Sequence, residues 1–382
     1  MGVRRGLGTN AACVGAMTAS KPRTSGLRLD DVGDNALLVI LVRAPFSSHV
    51  AIRMVSKRLN GLMSSDEFRE ERIESGYAES GVLLVGGKMN ERCHNHAECW
   101  LWTKGAWRPI AALSTPRGGC PSLLLDGEMW VLGGCLDESS GEMSHSTVIY
   151  NPAANRWRAG PDACRDPRNS GVGVVDGKIV LAGGMNDAAM GKPRWLCSAD
   201  AYSPEMGWTE LPCVPEREAS LNGCVIDDKL FVSTSTSLAV WDGKSWSARA
   251  KLPGKKSKPA SVVYGGKLWL IGGLGLHEAP SNEVFIFNPA TNSWETGPAL
   301  PDRGQRVAPD FDREVAVEYE GAIIYIGSGR ALRLDDGVWS EQPMPPMPVI
   351  AQRGSRGGAR GRRGAQPQEQ LVAPCLQAVF FG

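Results

Sequence analysis

Histidine is scarce in this 382-residue chain. There are five, His49, His94, His96, His145 and His277, and no recurring set of them offers itself for catalysis. Long apolar runs are missing too. The longest, ALLVILV at Ala36–Val42, has seven residues, whereas a membrane-crossing helix needs about 20. No membrane span is expected. Neither sign of charge dominates: 42 Lys and Arg against 41 Asp and Glu leave a formal net charge of +1. A balance of that kind gives no global electrostatic reason for nucleic acid binding, and none is expected. The ten cysteines keep no regular spacing, which fits reduced thiols in an intracellular compartment better than a disulfide framework.

Tryptophan, by contrast, is plentiful, and half of the twelve keep time. Trp107, Trp157, Trp208, Trp246, Trp294 and Trp339 are separated by 50, 51, 38, 48 and 45 residues. Glycine pairs recur at the same tempo: Gly86-Gly87, Gly133-Gly134, Gly183-Gly184 and Gly272-Gly273. In two units Ser233-Thr234 and Gly327-Ser328 replace the pair. Each unit opens with two β-rich runs split by a tight-turn dipeptide, as in SLLLDGEMWVLGG and SVVYGGKLWLIGG, the grammar of a hairpin. A third run follows a variable loop, and a polar turn then leads to the timed tryptophan on a fourth. That turn is written almost identically twice, as NPAANRWRAGP (Asn151–Pro161) and NPATNSWETGP (Asn288–Pro298). A period of 40–50 residues points to a propeller or another repeat array.

Four short strands, Gly-Gly after the second and Trp in the fourth resemble the kelch repeat, over roughly residues 82–347. The resemblance implies an all-β fold, a six-bladed kelch β-propeller with one unit per blade. The first unit lacks its own first strand. The chain ends in APCLQAVFFG, which aligns with the first strands of other units, so residues 371–382 are expected to return and close the first blade. The propeller proper is assigned to 77–347 and an Arg/Gly-rich flexible loop to 348–370. An acid-free basic tail, 1–28, precedes everything; a disordered tail is the favoured reading over a transit peptide.

Residues 29–76 read differently, with sparse glycine and a period near 3.6. Asp34 is expected to cap a first helix reaching Arg43. Pro45 restarts a second helix, with apolar residues at Val50, Ile52, Val55 and Leu59, and the Ser-Ser-Asp at 64–66 caps a third. The opening LDDV, the LLVIL helix, the Ala-Pro break and VSKRLNGLMSSDEF resemble an F-box, and an F-box followed by kelch repeats is a known pairing. The resemblance implies the substrate-recognition subunit of a Skp1–cullin–F-box ubiquitin ligase, cytoplasmic or nuclear, which makes no bond itself. Its adaptor would be Skp1-like and would dock on Leu37, Leu38, Leu41, Pro45, Val50 and Val55.

Three further expectations concern chemistry. Arg117, Arg168, Arg217 and Arg306 precede first strands; the kelch resemblance places them around the mouth of the channel, where guanidinium groups suit an acidic or phosphorylated segment of a substrate protein. They serve equally well to stitch blades together through loop carbonyls. CHNHAEC offers Cys93, His94, His96 and Cys99 as zinc donors, but four ligands this close rarely wrap one tetrahedron, so a metal-free loop is preferred and no cofactor is expected. The alternatives to a ligase subunit are a kelch scaffold without that link, or a propeller enzyme.

Overall fold

The computed structural model describes residues 31–89, 94–103, 105–137, 140–186, 194–218, 221–301, 314–327, 330–344, 371–372 and 375–381. The basic tail at 1–28 and the whole Arg/Gly tract at 348–370 lie outside the described residues.

Six antiparallel sheets follow one another along the chain. Blade two shows the pattern: Ser122–Leu125, Glu128–Asp137, Glu142–Asn151 and Arg156–Ala159 pair in order from the inside outward. The tight turn between its first two strands holds Asp126 and Gly127 at positive φ, which explains the Asp-Gly dipeptide. The Gly-Gly pair sits at a break in register, where Gly133 and Gly134 adopt φ of 54° and 95°. A Cβ on Gly134 would lie 2.3 Å from Cys120 Sγ, so no side chain fits there.

Alternation along the strands sends apolar side chains to both faces of each sheet, and every pair of adjacent blades shares one hydrophobic cluster. Leu83, Val85, Met129, Val131 and Tyr150 join blades one and two, and Leu123, Leu132 and Ile179 join two and three. Equivalent clusters lie between the remaining neighbours, including Val82, Leu84, Trp102, Tyr319 and Ile324 between blades six and one. The ring is therefore packed all the way round.

The timed tryptophans add direction to that packing. Each indole Nε1 reaches back to the preceding blade: Trp157 donates to the Ala111 carbonyl at 2.8 Å, Trp246 to Pro212 at 2.8 Å, Trp294 to Ala250 at 2.9 Å and Trp339 to Pro298 at 2.9 Å. Trp107 donates to Pro343 at 2.8 Å and so joins the first blade to the last. In every case the acceptor lies four residues beyond the preceding blade's own tryptophan. Trp208 is the exception, and its buried indole N–H has no partner. In the duplicated turn the asparagine two residues before the tryptophan completes a clasp. Asn155 Oδ1 accepts from the Ala111 N–H at 2.9 Å, and Asn292 Oδ1 from Ala250 at 3.1 Å. Asn-x-Trp thus satisfies both backbone groups of one residue in the neighbouring blade.

Blade one is assembled from two ends of the chain. Glu79–Met89, His94–Thr103 and Ala106–Ile110 supply three strands, and the innermost is Cys375–Phe381, antiparallel to Glu79–Val85 with Glu79 opposite Phe381 and Val85 opposite Cys375. Leu371–Val372 pairs further along, opposite Met89 and Lys88.

Ahead of the ring stand four short helices: α1 (Asp34–Val42), α2 (Phe46–Val55), α3 (Lys57–Leu62) and α4 (Asp66–Glu74). Ser56 and Ser65 cap α3 and α4 by accepting from the N–H groups of Leu59 and Phe68, each at 3.1 Å. The expected cap Asp34 lies one residue inside α1, whose N-cap is Gly33; its carboxylate instead pairs with Arg58 at 2.6 Å. The long second helix divides at Ser56, where the extended backbone (φ −157°) starts α3.

Deleting residues 371–382 removes the inner strand of blade one and leaves Glu79–Val85 as an unpaired edge. The melting temperature measured by scanning calorimetry is expected to fall by about 5–10 °C, the cost of a few kcal/mol in a domain of this size. An unchanged transition would show that this strand does not contribute to closure.

Candidate functional site

The helical segment builds a core of its own. Leu37, Leu38, Leu41 and Val42 line one side of α1 and pack with Leu59, Met63 and Phe68, all buried. Arg72, fully buried on α4, ties the segment together: Nη1 donates to the carbonyls of Val42 and Ala44 at 2.6 and 2.7 Å, and Nη2 to Tyr77 at 2.5 Å. His49 is buried against Phe68, with Nε2 3.1 Å from the Ala44 carbonyl. Burial pushes its pKa down to about 4 despite that carbonyl.

This placement divides the adaptor surface expected from the sequence. Leu37, Leu38 and Leu41 are spent on internal packing, since about fifty residues of short helices must first cover their own apolar surface. Pro45 and Val55 are exposed, and the Val50 side chain lies outside the described residues. Val55 of that set is 68% exposed with Met54 beside it at 81%, and two further outward apolar residues, Val39 and Ile40, stand on the far side of α1, 53% and 64% exposed. Helical spacing carried that signal, because 37, 38, 41 and 42 form one stripe and 39 and 40 face away from it.

At the mouth of the propeller, loops leading into each blade meet the Gly-Gly corners. Arg117 is 3% exposed; Nη1 donates to the carbonyls of Gly133 (3.1 Å) and Ser146 (3.0 Å). Two unpredicted cations repeat this arrangement. Arg165 donates to the Gly183 and Ser198 carbonyls and pairs with Asp200 at 2.6 Å, while fully buried Lys256 reaches Gly272 at 3.0 Å and Glu283 at 2.9 Å over the face of Phe285. The second glycine then bonds onward to the next blade: the Gly87 N–H donates to the Arg117 carbonyl, Gly134 to Pro167 and Gly273 to the Glu314 carboxylate. Arg117 therefore takes the stitching role, its guanidinium buried on two carbonyls of its own blade. Arg168 is half-buried, Arg217 is exposed, and Arg306 lies outside the described residues.

Blade four inverts the sign. Where Ser233-Thr234 replaces Gly-Gly, the incoming loop carries Glu216 and Glu218 instead of a buried cation. Glu216 accepts from the hydroxyl of Ser237 at 2.5 Å, and Glu218 from that of Ser235 at 2.9 Å. Hydroxyl donors and carboxylate acceptors have exchanged places with carbonyls and cations.

Of the Cys/His cluster, the structure describes the side chains of His96 and Cys99. Cys99 is buried in the core between blades one and two. His96, also buried, lies 3.2 Å from Glu98, and burial holds its pKa below the usual imidazole value. Cys93 and the His94 side chain lie outside the described residues. Among the described residues no group of three His, Cys, Asp or Glu is placed to hold a metal ion.

Comparison with known proteins agrees with this architecture. The kelch motif matches residues 167–213 and 257–301. Kelch-like protein 35 of Mus musculus is 22% identical over 267 residues, 68% of this chain and 44% of that protein. An F-box/kelch-repeat protein of Arabidopsis thaliana is 23% identical over 287 residues, 70% of this chain and 71% of its own. The solved structure of YjhT superposes with a TM-score of 0.51 at 16% identity, covering 70% of this chain and 97% of that one, a likeness of fold. The chain spans less than half the length of the kelch-like relative. It is a six-bladed kelch β-propeller with a small helical segment ahead of it, similar to F-box/kelch-repeat proteins.

Two outcomes follow for the residues just placed. Arg117→Met strands two buried carbonyls and is expected to lower unfolding free energy in urea by about 2 kcal/mol or more, whereas Arg217→Ala should change it by less than about 0.5 kcal/mol. His49 ionises near 6.5 when unfolded and near 4 when folded, so the unfolded segment binds more protons between those values. Its stability is expected to fall as pH drops from about 6.5 to about 4, by up to about 1.4 kcal/mol per unit. Hydrogen exchange across residues 34–74 checks this, with His49→Phe removing the dependence.

Proposed function

We propose that the chain is the substrate-recognition subunit of a Skp1–cullin–F-box ubiquitin ligase. The observation that carries the reading is the outward apolar pair on α1, Val39 and Ile40, with Met54 and Val55 at the end of α2, on a segment whose core is already filled by other residues. Exposed apolar side chains of this size on a self-packed helical segment suit a protein partner. The similarity to F-box/kelch-repeat proteins supports a Skp1-like adaptor as that partner. The propeller would hold a target protein at its mouth, where exposed Arg217 suits an acidic or phosphorylated segment. In this role the chain contributes proximity and orientation and makes no bond itself, and it acts in the cytoplasm or nucleus.

Ile40→Asp combined with Val55→Asp is expected to weaken capture of a Skp1-like adaptor by more than about tenfold in a pull-down titration, with the melting temperature unchanged. Leu37→Asp should instead unfold the helical segment. Adaptor binding that survives the double change would mean the docking surface lies elsewhere, and failure of the unsubstituted chain to capture the adaptor would favour a kelch scaffold without a ligase link.

A further inference from the structure

Five blades share a small backbone device on the face that carries the strand two-to-three loops. The N–H of a residue just past the fourth strand donates to the carbonyl of one at the start of the third. The bonds are Leu113 to Ala97 (2.9 Å), Ala163 to His145 (2.8 Å), Val214 to Cys197 (2.7 Å), Leu252 to Thr236 (3.1 Å) and Leu300 to Asn282 (2.8 Å). The acceptor residue and the residue before the donor are thereby held side by side. Blade three puts cysteine at both places. Cys197 Sγ lies 2.7 Å from Cys213 Sγ, closer than two unbonded sulfurs ordinarily approach and about 0.7 Å from disulfide length. Both are free thiols, Cys213 exposed and Cys197 partly so, and the backbone bond next to them already fixes their separation.

The two thiols differ in acidity. The hydrogen bond from Cys213 and the charge of nearby Arg217 hold Cys197 below the ordinary thiol range, while Cys213 is pushed up by its bond to Cys197. Cys164, in the same blade, provides the contrast: burial and the Asp200 carboxylate push it up to about 11.

We propose that Cys197 and Cys213 form a reversible oxidation site, a dithiol that a hydroperoxide closes to a disulfide and a dithiol reductant reopens. The Cys197 thiolate attacks one peroxide oxygen; an S–O bond forms, the O–O bond breaks, and hydroxide leaves as water. Cys213 sulfur then attacks the Cys197 sulfenic acid, forming the S–S bond and releasing a second water. Two thiols lose two electrons and two protons, and hydrogen peroxide becomes two molecules of water. The site stands on blade geometry alone and is independent of any adaptor.

The test uses the full-length chain treated with substoichiometric hydrogen peroxide, followed by alkylation and peptide mapping without reductant. The expected product is a Cys197–Cys213 cross-link, removed by dithiothreitol. In Cys213→Ser, dimedone should label Cys197; in Cys197→Ser, Cys213 should stay unlabelled. Before oxidation, iodoacetamide at pH 7 should modify Cys197 at least about tenfold faster than Cys164, and Arg217→Met should narrow that gap. The proposal is overturned if both thiols remain alkylatable while other cysteines oxidise, or if Cys197 pairs elsewhere. Circular dichroism verifies folding, and mapping of the unsubstituted chain decides the matter even if a variant misfolds.

Discussion

The ring depends on one polar contact repeated around it, the bond from each blade's tryptophan indole to a carbonyl of the blade before. Apolar burial between twisted sheets supplies most of the attraction, but it has no direction and would tolerate sliding. An indole N–H aimed at one carbonyl does not. Because the acceptor always lies four residues past the neighbour's own tryptophan, the contact fixes the relative height of consecutive sheets while the loops elsewhere in each unit vary in length. The duplicated turn is the most complete form of this device, since its asparagine secures the same residue's N–H. Blade three, whose indole lacks the bond, is held to blade two by Leu123, Leu132, Ile179 and the rings around them.

At the mouth of the ring, buried cations do the corresponding work. A buried guanidinium or ammonium is costly unless its donors are used, and here each is placed over carbonyls that the Gly-Gly corner leaves pointing inward. Arg117, Arg165 and Lys256 therefore stand in for absent hydrogen bonds in the sheet at its bulge. Blade four reaches the same satisfaction with the roles exchanged, so the mouth carries an acidic sector, Glu216 and Glu218, beside exposed Arg217. A ligand there meets both signs of charge within a few residues.

Much of this was legible in the sequence. Period, strand order and hairpin turns follow from alternation and from residues that tolerate positive φ, which are local properties. The direction in which a side chain is spent is not local. Arg117 and Arg217 stand in matching loops, yet one is buried on two carbonyls and the other faces solvent; Arg165, three residues before Arg168, does the stitching in blade three. Leu37, Leu38 and Leu41 looked like docking residues because only the assembled helices reveal which apolar stripe the segment keeps for itself. One signal was available: the unit that carries Ser233-Thr234 in place of Gly-Gly is also the one whose incoming loop reads Glu-Arg-Glu.

The pairing of Cys375–Phe381 with Glu79–Val85 sets the order of events during synthesis. Almost three hundred residues separate the two strands, so the earliest blade to leave the ribosome waits, incomplete, while the other five emerge. Until the late strand arrives, the exposed edge of Glu79–Val85 is open to any extended polypeptide nearby. A chain that stops short of Cys375 keeps five complete blades and a first blade whose inner edge has nothing to pair with.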